Sequence, residues 1–366
     1  MFDFNGHRLT LGNKTAHTPI VQGGMGVGIS MAGLASAVAN EGGVGVLSAA
    51  GIAMLRKPEI KDRDRAIFEG LTEEIAAARE KIKSGTNGIL GINIMNVMTD
   101  FAQMVKTSAE AGIDVIFSGA GLPLDLPKYA SNDTALVPIV SSAKAVKIIS
   151  RWWEQKYSRL PDGFVLEGPM AGGHLGFSKE QIDDPKFRLQ SLIPSVLKEL
   201  DALSQKAGRK IPLIAGGGVY SGEDIHEILS LGADAVQMAT RFVATEECDA
   251  SDEFKKAYIN CKKEDISIIQ SPVGMPGRAI KNSFIERAKN GETCPKACPW
   301  HCISSCEPSK SPYCISAALM AACKGKLENG FAFIGANGYR ISEITTVQQL
   351  IKSLHNEYIL ASKEEA

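Results

Sequence analysis

Eight short apolar runs recur through the first two thirds of the chain, at 20–22, 44–47, 89–94, 115–118, 136–140, 163–166, 212–215 and 235–238. Val, Ile and Leu dominate them, and few polar residues interrupt them, as in strands covered on both faces. Between them, apolar residues return every three or four positions, the spacing of a helix with one buried face. That pattern predicts helices at 31–40, 64–84, 100–111, 123–131, 143–155, 187–207 and 222–231. Strands alternating with helices imply βαβ crossovers and a parallel sheet. Eight such units predict an α/β fold, a closed TIM (β/α)8 barrel. An open doubly wound sheet is the alternative. Against it, the first run leads into Gly24-Met25-Gly26 without the third glycine of a dinucleotide fingerprint.

Small residues gather where these strands end. They are Gly23-Gly24-Met25-Gly26, Gly91-Ile92-Asn93-Ile94-Met95, Ser118-Gly119-Ala120-Gly121, Ala215-Gly216-Gly217-Gly218 and Gln237-Met238-Ala239-Thr240-Arg241. The sixth strand leads into Glu167-Gly168-Pro169-Met170-Ala171-Gly172-Gly173-His174-Leu175-Gly176. Glycine lets a backbone pass close to a ligand, and barrels place their chemistry at this end. One glycine-rich end is turn chemistry; six suggest a ligand lying across the barrel mouth. The loops after strands seven and eight, with Gly217, Gly218 and Thr240, are where barrels hold phosphate. His174 is the candidate acid, base or oxyanion donor.

Composition narrows the function. Glycine is abundant at 36 residues, while aromatics are 6% and net charge is −1. There is no basic field for nucleic acid or anionic membrane. The partner expected is a small-molecule substrate, with a homodimer left open. The opening 18 residues lack the apolar core of a signal peptide. The charge-poor stretch 21–54 is broken by glycines and reads as strand, helix, strand rather than a membrane span. A soluble cytoplasmic protein is expected.

Taken in order, these pieces resemble the nitronate monooxygenase family (formerly 2-nitropropane dioxygenases). They are also similar to the flavin-dependent enoyl-ACP reductases that share its fold. The resemblance spans about residues 17–290. It rests on Pro19-Ile20-Val21-Gln22-Gly23-Gly24-Met25, Gly91–Met95, Gly119-Ala120-Gly121, Glu167-Gly168, Ala171-Gly172-Gly173-His174, Ala215-Gly216-Gly217 and Gln237–Phe242. It implies non-covalent FMN across the mouth and a catalytic histidine at His174. The FMN contacts it implies are Gly23, Gly24, Met25, Asn93, Gly172, Gly173, Gly217, Gly218, Gln237 and Thr240. Where many relatives carry an acid, this chain has Met170.

The resemblance implies oxidation of alkyl nitronates with O2 to a carbonyl compound and nitrite. The same loops also suit an NAD(P)H-dependent reductase of activated alkenes or quinones, with His174 holding an enolate oxygen. A flavin- or cluster-binding regulatory protein without turnover is the reading from another class. Arg278, in Ser271-Pro272-Val273-Gly274-Met275-Pro276-Gly277-Arg278, is expected to be a structural ion-pair partner.

The expected organisation is a barrel at 1–290, a cysteine-rich C-terminal extension at 291–325, and a segment at 326–366 that packs back on the barrel. Six of eight cysteines fall between Cys294 and Cys323. Without a signal peptide this favours metal over disulfides. Cys298, Cys302, Cys306 and Cys314 are the expected thiolates of an iron–sulfur cluster. Zinc, with His301, is the competing metal, and reduced thiols in a small cap are the plain alternative. Pro295, Pro299, Pro308 and Pro312 favour a loop there. The glycine-rich stretch 330–338 is expected to return to the barrel mouth, and 347–354 to form a closing helix.

Overall fold

A computed structural model describes residues 2–364 apart from 296, 297 and 299; Pro299 and the residues after 364 lie outside the described residues. The eight predicted runs form one closed parallel barrel. Its strands are Ile20–Gln22, Val44–Ser48, Ile89–Asn93, Val115–Ser118, Ala135–Val140, Phe164–Glu167, Leu213–Gly216 and Ala235–Met238. Each pairs with its neighbour in sequence, and the eighth closes on the first with Val236 opposite Ile20.

Alternation along the strands explains why the runs are apolar throughout. Val21, Val46, Ile89, Val115, Val137, Val165 and Ile214 share one buried cluster, the barrel interior. Leu47, Leu90, Ile116, Leu136, Leu166 and Val236 join a second cluster with the surrounding helices. The period-two rule sends alternate residues to the two faces, and both are covered. An antiparallel hairpin, Leu9–Leu11 with Lys14–Ala16, plugs one end of the interior with Leu9, Leu11 and Ala16.

Six of the seven predicted helices form. The exception is 123–131, which holds only a short 3-10 turn at Leu126–Lys128. Pro123 and Pro127 each remove a backbone donor there, so an α-helical ladder cannot propagate. Trp153 Nε1 instead donates to the Pro123 carbonyl at 3.0 Å, pinning the loop to the helix Ala143–Tyr157.

The outer ring is closed from far along the chain. After the eighth strand comes only a single turn, Thr240–Val243. Residues 244–346 then leave the ring and build a cap, so the division expected at 290 falls inside this insertion. Its main elements are the helix Asp252–Ile259, the antiparallel strands Ile266–Gln270 and Pro276–Ile280, and the helices Ser283–Lys289 and Ile315–Cys323. The helix Val347–Glu364 returns and packs against the helices Gly222–Ser230 and Ala32–Asn40. Gly222 permits the contact: a Cβ there would lie 2.2 Å from the Leu354 carbonyl oxygen. No helix among the described residues is long and apolar enough to cross a membrane.

Candidate active site

Counting in twos from the interior residues Ile89, Val165 and Ala235 reaches Asn93, Glu167 and Gln237. Strand parity therefore aims these three side chains up the barrel axis, into its mouth. There they line a cavity of about 410 Å³, together with Gly23, Gly24, Met25, Gly172, Gly173, His174 and Thr240. A smaller space of about 70 Å³ adjoins it, lined by Gly217, Gly218, Arg241 and Gly335–Gly338. Glu167, Gly172, Gln237 and Thr240 border both. The structure thus brings His174 and all ten expected FMN contacts to two adjoining spaces. Residues 330–338 do return to the mouth: Phe333 and Ile334 line the larger cavity, and Gly335–Gly338 the smaller.

His174 is held by the cap. It pairs antiparallel with Gly277, and Leu175 N donates to the Pro276 carbonyl at 2.8 Å. Its Nε2 lies 2.7 Å from Ser271 Oγ, and its ring meets Phe333 edge to face at 5.0 Å. The Val273 N–H reaches Ser271 Oγ at 3.4 Å, and the hydroxyl hydrogen is free to point at Nε2. A hydroxyl that donates to Nε2 leaves the ring proton on Nδ1, whereas one that accepts a second hydrogen bond leaves it on Nε2. Burial pushes the imidazole pKa down to about 4, so the ring is neutral at physiological pH. A cationic His174 holding nitronate oxygens does not fit that environment.

Glu167 is the residue that sequence reasoning undervalued. Its carboxyl lines both spaces and makes no hydrogen bond among the described residues. Burial, with no cation to offset it, pushes its pKa up to about 7. Strand parity was the signal that could have found it. Arg278 also departs from expectation. It is 7% exposed, and its Nη1 donates to the Pro169 and Ala171 carbonyls at 2.6 and 2.7 Å. It clamps the loop that carries His174 and makes no ion pair among the described residues.

The donors present suit FMN. The Asn93 and Gln237 amides make no hydrogen bond among the described residues, so both are available to ring or ribityl heteroatoms. Thr240 Oγ1 accepts from Gly335 N at 3.0 Å, leaving its hydroxyl hydrogen to donate into the smaller space. Gly172 must stay bare, since a Cβ would lie 2.6 Å from the Ile334 carbonyl carbon. Gly217, at φ +99°, exposes its amide in a conformation open to glycine.

The cysteine segment is a wall of this cavity. Ile303 bridges to Met98, Ser304 N donates to the Val97 carbonyl at 2.9 Å, and Thr99 N donates to the Cys302 carbonyl. Cys302, Ile303, Ile315, Ser316 and Leu319 line the larger cavity. Its second half is a helix rather than a loop, because the prolines precede it and alanine-rich sequence follows. The expected metal site is not assembled. Among the described residues no three His, Cys, Asp or Glu side chains group to hold a metal ion. Cys302 Sγ meets Ser316 Oγ at 2.9 Å, Cys306 turns to Ser311, and Cys298 and Cys314 are free thiols. Cys298 and Cys314 stand near Cys302, whose thiol pKa is raised mainly by burial and further by these two neighbours.

Comparisons with known proteins bear on the family and the fold. A family model described as nitronate monooxygenase matches residues 9–357. The (3aS,4S,5R,7aS)-5-hydroxy-7a-methyl-1-oxo-octahydro-1H-indene-4-carboxyl-CoA dehydrogenase of Mycobacterium tuberculosis is 28% identical over 274 residues, 75% of this chain but 66% of that protein's own length. A probable nitronate monooxygenase of Staphylococcus aureus is 36% identical over 132 residues, 36% of this chain and 35% of that protein. The solved structure of FabK from Thermotoga maritima superposes with a TM-score of 0.72 at 26% identity, covering 95% of this chain and 94% of that one.

Proposed function

The chain belongs to the nitronate monooxygenase family, and from that premise we propose an FMN-dependent oxidoreductase whose substrate is an α,β-unsaturated or saturated acyl thioester. The observation that carries this reading is a neutral His174 facing a large apolar cavity. Met95, Met98, Met275, Ile303, Ile315 and Leu319 supply aliphatic surface far beyond what a small nitroalkane needs. FMN, when bound, supplies hydride or single-electron exchange. Asn93 and Gln237 hold its polar edges, and the Gly217–Gly218 amides with Thr240 hold its phosphate. The His174 Nδ1–H donates to the thioester carbonyl oxygen, where enolate charge develops as the neighbouring carbons change oxidation state. A neutral donor keeps its proton throughout, and burial makes its hydrogen bond strong. Glu167, whose pKa burial pushes up to about 7, donates or accepts at the junction of the two spaces. The apolar walls exclude water.

A second reading is oxidation of an alkyl nitronate with O2 to carbonyl compound and nitrite. It is favoured by the Staphylococcus aureus relative. Neutral His174 would then donate to a nitronate oxygen. One experiment separates the two. Flavin-loaded protein is titrated anaerobically with NADH and then NADPH, following visible flavin absorbance, and an enoyl thioester is added. Bleaching by a nicotinamide and recovery with the enoyl thioester are expected. No bleaching, with nitrite released from an alkyl nitronate in air, would replace the first reading with the second.

A further inference from the structure

Three thiols gather at the wall of the larger cavity, and the proposed reaction uses none of them. Cys302 lines the cavity, and its Sγ lies 2.9 Å from Ser316 Oγ. Ser316 stands in the first turn of the helix Ile315–Cys323, and Cys314 is the N-cap of that helix. Cys314 and Cys298 are the thiols close enough to act on Cys302, Cys314 the more strongly. All three are free and half-buried. The other cysteines are placed differently. Cys248, Cys261 and Cys323 are buried, and their thiols donate to the Ile29, Lys262 and Gly28 carbonyls. Cys306 turns to Ser311, and Cys294 is exposed.

Cys302 and Cys314 each adjoin a residue that shapes the cavity. Ile303 follows the first and Ile315 the second, and both isoleucines line the cavity. The Cys302 side is anchored to the barrel, since Ile303 bridges to Met98 and Thr99 N donates to the Cys302 carbonyl at 3.2 Å. The Cys314 side begins a helix whose Ser316 and Leu319 also face the cavity. The contact between Cys302 and Ser316 joins these two parts of the wall. A covalent bond between the cysteines would clamp them.

We propose that Cys302 and Cys314 are a peroxide-sensitive pair whose reversible disulfide narrows the larger cavity. The oxidant is hydrogen peroxide, which reduced flavin yields when it passes its electrons to O2. Burial keeps the Cys302 thiol protonated, so Cys314 attacks first. Its sulfur takes one peroxide oxygen as a hydroxyl, the O–O bond breaks, and the other oxygen leaves as water with the thiol proton. Cys302 Sγ then attacks the sulfenic sulfur. The S–S bond forms, the S–O bond breaks, and the departing hydroxide takes the Cys302 proton as a second water. Two thiols lose two electrons, and one peroxide becomes two waters. The new bond takes Cys302 from Ser316 and draws Ile303 toward Ile315. Flavin enters only as a source of peroxide, so supplied peroxide tests the pair whether or not the thioester reading holds.

Flavin-loaded protein is treated with hydrogen peroxide, its remaining thiols are alkylated, and its tryptic peptides are read by tandem mass spectrometry. Lys310 lies between the two cysteines, so trypsin leaves them on separate peptides. A cross-link between Cys302 and Cys314 is expected, absent before treatment and removed by dithiothreitol. Affinity for the neutral apolar dye N-phenyl-1-naphthylamine should fall about fivefold or more on oxidation and return with dithiothreitol, a reversal that methionine sulfoxide in the cavity would not give. In Cys302→Ser, and separately in Cys314→Ser, peroxide should leave dye affinity where it stood before treatment. A cross-link between Cys298 and Cys302, sulfonic acids with no link, or a link between Cys302 and Cys314 that leaves dye affinity unchanged would each overturn the proposal. The wild-type peptides and dye titration decide the matter even where a variant fails to fold.

Discussion

Replacing Glu167 by Gln is the sharpest test of the site's electrostatics. The change keeps shape and removes ionisation. A rise in pKa from 4.5 to about 7 means that the folded protein holds a proton the unfolded chain has released. The stability this carboxyl allows is complete below pH 4.5 and is lost as pH rises through 7. The loss is about 3 kcal/mol at most, and solvent in the cavity reduces it to about 1–3 kcal/mol. His174 acts with the opposite sign. Its pKa falls from 6.5 to about 4, so its neutral burial costs stability only as pH drops below 6.5. Between pH 4.5 and 6.5 the two slopes nearly cancel in the wild type. The histidine term is common to both proteins, so the difference between them isolates Glu167. Urea unfolding of flavin-free protein, followed by far-UV circular dichroism, should give E167Q little advantage at pH 4.5 and about 1–3 kcal/mol at pH 8.5. An equal gap at both pH values, or a wild type more stable at pH 8.5, would refute the assignment of an unpartnered buried carboxyl.

Other expectations follow from the same geometry. His174→Ala should lower kcat by about 10²–10³-fold while flavin stays bound, measured by turnover and bound-flavin absorbance. Ser271→Ala frees Nε2 and unlocks the tautomer; kcat should fall about tenfold with KM little changed, and the acid limb of the pH–rate profile should shift. Gly217→Ala combines a φ of +99° with a Cβ 2.6 Å from the Gly168 carbonyl oxygen, so flavin affinity should drop at least tenfold in a fluorescence titration. Arg278→Lys cannot reach both loop carbonyls with the same geometry; it should lower thermal stability by about 1–3 kcal/mol and loosen flavin, read by differential scanning fluorimetry with and without FMN.

The barrel was legible because its signal is local. Three strands match their apolar runs residue for residue, at Ile20–Gln22, Val115–Ser118 and Ala235–Met238, and the others shift by one or two positions. The glycine-rich strand ends were legible for the same reason, and they gathered as expected. What escaped depends on contacts distant in sequence. Ser271 meets His174 across 97 residues, and Cys302 walls a cavity whose floor is Asn93. No periodicity announces such meetings. Cysteine spacing misled because a row of thiols at helical and loop steps looks like a ligand set, whereas Cys302 and Cys306 found hydroxyl partners. The region 123–131 misled because its apolar spacing suited a helix that its prolines forbid.

The helix Val347–Glu364 has a consequence for how the protein is made. It wedges between helices at 32–40 and 222–230, and His355 Nε2 contacts the Asp3 carbonyl oxygen at 2.9 Å. Ribosomal synthesis therefore produces eight strands and a complete cap while one side of the wall still lacks its helix. Until residues 347–364 emerge, the sides of the helices at 32–40 and 222–230 that they cover face solvent, an invitation to chaperones and to aggregation. Completion joins early and late segments over more than three hundred residues, a closure that sequence separation makes slow. Premature termination upstream of this helix would leave a translation product with its catalytic mouth built and its barrel unsealed.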